Sequence, residues 1–241
     1  MNTRHYFDKE LDELHLDMVK MGSLVEESIE NTITALINQD VELAGKIFKD
    51  DDIIDDLEKK IEKRCLVLIA RQQPLAKDLR SISTALKMIT DLERIGDHSA
   101  DIAEITLQMA NERYVKSLID IPIMANLAKT MVNKAIDAYV KQDIILAIEV
   151  CEGDDEVDDL FKSITLELID MMKNDPTVIE QATNFMFIVK YLERMADHAT
   201  NIGEWVVFNV TGEHRQLTRH ENIEEILNSP FNPANKEDKE E

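Results

Sequence analysis

The 241-residue chain carries 49 acidic against 27 basic residues, a formal net charge of −22, with 44% hydrophobic and only 5% aromatic residues. Six glycines and five prolines are too few for the frequent turns of an all-β protein, and the acidic excess excludes a broad electrostatic surface for nucleic acid. What remains is a soluble helical chain, long enough for two domains of roughly 100–120 residues, each with its own core.

The opening stretch MNTRHYFDKELDELHLDMVK has no long apolar run. No signal peptide is therefore expected, and no segment approaches the ~20 apolar residues of a membrane span. The expected location is cytoplasmic, with any membrane association indirect, through a partner. Leu14, Met18, Met21, Val25, Ile29 and Leu36 recur at three- and four-residue spacing, the stripe of an amphipathic helix. A second helix is predicted from about Val41 to Ala70, with Asp40 as its N-cap. A third begins near Pro74 and carries Leu79, Ile82, Leu86, Ile89 and Leu92. Three more are predicted over roughly 119–140, 144–172 and 177–210, with Pro122 and Pro176 near two starts, where proline is tolerated. Cys65 and Cys151 lie in apolar helical runs without CxxC spacing and read as buried, reduced thiols. Met171, Met172, Phe185, Met186, Phe187 and Trp205 read as core. Beyond about Thr211 the pattern fades, and 216–241, with NSPFNPANKEDKEE, reads as a polar, disordered tail.

The chain repeats itself. Gln39-Asp40 matches Gln142-Asp143, and Asp55-Asp56-Leu57 matches Asp158-Asp159-Leu160, at an offset of about 103 residues. LERIGDH (92–98) returns as LERMADH (192–198). A long period across two halves indicates duplication, with one folding unit over 1–113 and a second over 114–215. Three amphipathic helices bury their stripes only by packing together, so the predicted fold is all-α: two tandem three-helix bundles without a sheet.

Helical geometry turns each residue by about 100°, which places Asp97, Asp101 and Glu104 roughly 40°, 80° and 20° from Glu93. These acids form one narrow stripe bordering the apolar arc of Ile89, Leu92, Ile95, Ala100 and Ile102. Glu193, Asp197 and Glu204 repeat the stripe, with Asn201 replacing the third acid. The middle helices add Asp51 with Asp55, and Asp154 with Asp158, each pair four residues apart. Glu58 and Glu62 share that face in the first copy, but Phe161 and Thr165 stand there in the second. Spacing alone leaves two readings open: a solvated acidic face, or a site for a cation favoured by hard oxygen donors, such as magnesium, calcium, manganese or iron. His98 and His198 lie on another face and lack the Glu-x-x-His spacing of di-iron bundles, so they read as surface or inter-helix hydrogen-bonding residues rather than ligands. Arg94 and Arg194 read as ion-pair partners of the acids.

These residues resemble the PhoU family of bacterial phosphate-transport accessory proteins. The resemblance spans roughly residues 5 to 215 and rests on the paired LERxxDH helices, the DDxxDDL-like middle helices, MGSLVEESI (21–29) and RQQPLAKDLR (71–80). It implies two bundles related by a pseudo-twofold axis. It further implies a multinuclear cluster of iron or zinc, with manganese or magnesium as alternatives. Asp51, Asp55, Glu93 and Asp97 would be its ligands in the first half, and Asp154, Asp158, Glu193 and Asp197 in the second. Asp101 fits as an added ligand, Asn201 departs from the pattern, and Glu104 and Glu204 are further candidates. The implied role is negative regulation when phosphate is plentiful, through the ATPase of a phosphate ABC transporter and a phosphate-sensing histidine kinase, in a protein expected to form homodimers. A carboxylate-bridged metalloenzyme and a metal-storing bundle are the competing readings. The chain has no evident nucleophile or base, nor a G-x-x-x-x-G-K-[ST] loop, so catalysis is not expected.

Overall fold

A computed structural model describes residues 3–110 and 112–217 and contains six helices. They are α1 (Thr3–Asn38), α2 (Val41–Gln72), α3 (Ala76–Met109), α4 (Asp120–Lys141), α5 (Ile144–Asn174) and α6 (Ile179–Thr211), with a 3₁₀ turn at Pro176–Val178 before α6. No strand occurs among the described residues. The repeated Gln-Asp pairs explain themselves at the first corner of each bundle. Gln39 and Gln142 adopt left-handed backbone conformations, with φ of 51° and 54°. The following aspartates then cap the next helix: Asp40 accepts from the Leu43 N–H at 3.0 Å, and Asp143 from those of Ile145 and Leu146. Gln39 also donates to the carbonyls of Met109 and Glu112, tying the corner to the end of α3.

Helices α1–α3 form one bundle and α4–α6 the other. The two meet chiefly through α3 and α6, which run antiparallel: Arg80 near the start of α3 donates to the Asn209 carbonyl near the end of α6, while Val115, beyond α3, donates to Gln181 near the start of α6. Helix α1 lies against α4, where the His15 and Tyr139 rings stack at 5.3 Å and Lys129 pairs with Glu30. His98 and His198, equivalent in the two repeats, face each other with ring centroids 5.8 Å apart, which places the pseudo-twofold axis between them. One apolar core runs through both bundles, and all six residues of the predicted α1 stripe are buried in it.

The copies are not identical in charge. Arg64 of α2 is held by Glu13, 2.7 Å away, and by Asp17 at 3.4 Å. At the corresponding positions of the second bundle the signs reverse, with Glu167 paired to Lys116. Several expectations shift. Helix α1 begins at Thr3, well before the apolar stripe, and α3 begins at Ala76, because residues 73–75 form the corner. Phe187 is 52% exposed rather than core. Phe187 instead stacks on Tyr191 on the outer side of α6. The chain after α6 folds back: His214 lies 4.4 Å from the Trp205 ring, and the Leu217 N–H donates to Glu204. The rest of the predicted tail, 218–241, lies outside the described residues. No described helix is long and apolar enough to cross a membrane.

Candidate metal centre

Two acids one turn apart on α2 meet the acids on α3, and the close approach depends on the glycine of LERIGDH. A Cβ at Gly96 would lie 3.0 Å from Ile54 Cδ1 and 3.4 Å from Asp51 Oδ1, so the missing side chain lets α2 settle against α3. The second repeat reaches the same packing by a different split of volume. Its α6 carries Ala196, and its α5 carries Val157 where α2 has Ile54, so the methyl gained on one helix is removed from the other.

This packing brings Asp51, Asp55 and Asp97 together, each offering a carboxylate oxygen within 4.8 Å of the others. Among the described residues, no other group of three or more His, Cys, Asp or Glu comes so close. The counterpart Asp154, Asp158 and Asp197 is therefore more open, although its members still act strongly on one another. Burial and then the Asp97 and Asp55 carboxylates push Asp51 up to about 6. Burial followed by Asp197, Asp158 and Glu193 does the same to Asp154. Glu93 is raised by burial and then by Asp97, and Asp197 by burial and then by Glu193.

Neighbouring cations compensate only the outer acids. Arg94 reaches Asp97 at 2.9 Å and Glu93 at 3.4 Å, and Arg194 repeats the arrangement with Asp197 and Glu193. Lys59 pairs with Asp55, Lys162 with Asp158, and Lys190 with Glu193. Among the described residues, neither Asp51 nor Asp154 makes an ion pair, and Asp154 Oδ1 is a buried oxygen with no hydrogen-bond partner. A buried carboxylate oxygen without a donor is costly and fits a position meant for a cation. Several carboxylates converging around one inner aspartate in each bundle can hold an oxygen-seeking metal, and such a metal would favour their ionised form.

The remaining predicted residues scatter. Asp101 is directed to the His98 Nδ1 at 3.4 Å, yet its charge still contributes to raising Asp51. Glu104 is exposed. Glu204 is buried and accepts the Leu217 N–H at 2.9 Å. Asn201 donates to Asp91, which also accepts from His198 Nδ1 at 2.8 Å. His198 is thus an inter-helix residue, while His98 bonds within α3 and stacks on Tyr191. Asp91, which ties the two bundles, escaped the sequence reading because its repeat partner is Tyr191; only the unpaired acid immediately before the motif could have signalled it.

The PhoU domain family matches residues 18–106 and 121–206. The chain is 43% identical over 216 residues to the phosphate-specific transport system accessory protein PhoU homolog of Clostridium acetobutylicum, covering 89% of this chain and 99% of that one. It is 40% identical to the homolog of the same name from Aquifex aeolicus, over 90% of this chain and 97% of the other. The crystal structure of PhoU from Pseudomonas aeruginosa superposes with a TM-score of 0.83 at 34% identity, over 86% of this chain and all of that one. The phosphate transport system regulatory protein PhoU from Streptococcus pneumoniae gives 0.81 at 32% identity, over 87% and 99%.

Proposed function

This chain belongs to the PhoU family, and from that footing we propose that it is a metal-dependent accessory regulator of phosphate uptake that restrains the transporter and its signalling when phosphate is plentiful. The family is one of accessory regulators rather than of enzymes. The observation that carries the metal dependence is the repeated inner aspartate. Asp51 and Asp154 are each half-buried among other carboxylates and without a cation of the chain's own, and Asp154 keeps a buried oxygen unpartnered.

Asp51, Asp55 and Asp97, with Glu93 beside them, would hold the metal in the first bundle, and Asp154, Asp158, Glu193 and Asp197 in the second. Iron or zinc is the proposed occupant, manganese or magnesium the alternative; either would supply positive charge that balances the acids. Arg94, Arg194, Lys59 and Lys162 hold the outer carboxylates in place from the solvent side. With the inner carboxylates balanced, α2 stays seated on α3 and α5 on α6, and the outer faces keep one shape for partners. The proposed partners are the ATPase of the phosphate ABC transporter and a phosphate-sensing histidine kinase, met in the cytoplasm and with the protein as a homodimer.

Purified phosphate transporter in detergent, mixed with metal-loaded, chelator-stripped or Asp51→Asn/Asp97→Asn protein, tests this reading. Metal-loaded wild type should bind and slow the ATPase, with stripping or the double substitution weakening binding at least tenfold. Equal binding by all three forms overturns the metal dependence; no binding by any of them overturns the accessory role at the transporter.

A further inference from the structure

Charge is spread unevenly over the duplication. Residues 63–80, which take in the end of α2, the corner and the start of α3, hold five basic residues against one acid, on a chain whose net charge is −22. The corresponding stretch of the second copy, 166–180, holds one basic residue against four acids. Each corner joins the same pair of helices in its bundle, so packing alone does not demand the contrast. Two of the five cations are used within the fold. Arg64 pairs with Glu10, Glu13 and Asp17 of α1, and Arg80 donates to the Asn209 carbonyl near the end of α6. Lys63, Arg71 and Lys77 are exposed, and among the described residues none of them makes an ion pair. The acids nearby do not cancel them. Asp78 is half-buried in the first turn of α3, and Glu62 lies half a turn around α2 from Arg71, on the flank where it acts on Glu58.

An apolar anchor stands among these cations. Leu75, in the corner between Arg71 and Lys77, is 73% exposed, and Leu79, one turn further on, is 40% exposed. Leu75 holds the N-cap position of α3 without a side-chain bond to the helix, where Ser, Thr, Asp or Asn would have stabilised it. We propose that this corner docks an acidic segment of another protein, with an apolar side chain of that segment on Leu75 and Leu79 and its carboxylates on Arg71, Lys77 and Lys63. Opposite charge steers such a segment to the one basic end of an acidic chain and sets it apart from other partners. Three cations give an anionic bilayer little hold, and a bilayer plane would also meet the acidic surface around them, whereas a narrow segment meets the corner alone. The proposal goes beyond the accessory role above, and it rests on neither the metal nor the identity of the partners named there.

The test places the photo-crosslinking residue p-benzoylphenylalanine at position 75 of the full chain in its native cell, with position 179, the exposed isoleucine beyond the opposite corner, as a control. The expected product forms at 75 and not at 179, and maps to a segment of a different protein that carries acidic residues beside an apolar one. Adding Arg71→Glu/Lys77→Glu should cut its yield at least tenfold while moving the thermal midpoint by no more than about 2 °C, since neither side chain has an ion pair to lose. Lysines in place of the mapped acids should restore the yield of that variant. A product with residues 166–180 of a second copy, with a lipid or with a segment lacking acids would overturn the proposal. So would a yield insensitive to the charge reversal, one that the partner's lysines do not restore, or no product at all.

Discussion

Replacing Asp51 by asparagine is expected to stabilise the metal-free protein, the reverse of what loss of a polar surface contact would do. Burial together with the carboxylates of Asp97 and Asp55 lifts Asp51 from 3.8 to about 6. That displacement corresponds to about 3 kcal/mol at full effect, and solvent reaching this partly exposed site reduces it to about 1–2 kcal/mol. For a chain of this length the variant should melt about 3–6 °C higher. The sign with pH follows from the raised value. Below 3.8 the carboxyl is protonated in both folded and unfolded chains and costs nothing, whereas above about 6 it is ionised in both and the full penalty applies. Thermal melts followed by circular dichroism, in chelator at pH 7.5 and again below pH 4, should show the gain at the higher pH and little of it at the lower. A variant that melts below wild type at pH 7.5, or whose advantage is the same at both values, would refute this reasoning.

Asp154→Asn should behave alike in the second bundle, again raising the melting point of stripped protein at neutral pH and losing that gain in acid. In the packing between α2 and α3, Ile54→Val should cost about 1 kcal/mol in wild type but close to nothing in a Gly96→Ala background, because the added methyl occupies the space that Ile54 Cδ1 gives up. A denaturant double-mutant cycle checks this, and simple additivity would count against it. Burial pushes both thiols up to about 12, so iodoacetamide at pH 8 should modify Cys65 and Cys151 slowly in the folded protein and quickly in denaturant, as mass spectrometry would record.

Much of the helical layout was legible because the apolar stripes are regular. Leu14 through Leu36 follow one face at three- and four-residue spacing, and that face is the one turned inward. Asp40 could be read as a cap because a short acid before an apolar run has few other roles. Phe187 was misread as core for the same reason, since periodicity registers apolar character and not which neighbour arrives to cover it. At the site, helical spacing placed Asp51 with Asp55 and Glu93 with Asp97, but not the distance between the two pairs. That distance depends on Gly96, whose importance appears only once Ile54 is seen beside it. Glu204 illustrates the limit on the other side. Its angle on the helix matches that of the other acids, yet the chain folds back after α6 and takes its carboxylate as an acceptor for Leu217.

Calorimetric titration of chelator-stripped protein with ferrous iron or zinc, run beside the Asp51→Asn/Asp97→Asn variant, tests the metal centre most directly. Saturable binding by wild type, with the first-bundle sites lost in the variant while the second bundle still titrates, is the expected result. Superimposable titrations of the two proteins, or no saturable binding by wild type, would contradict a metal centre built on Asp51.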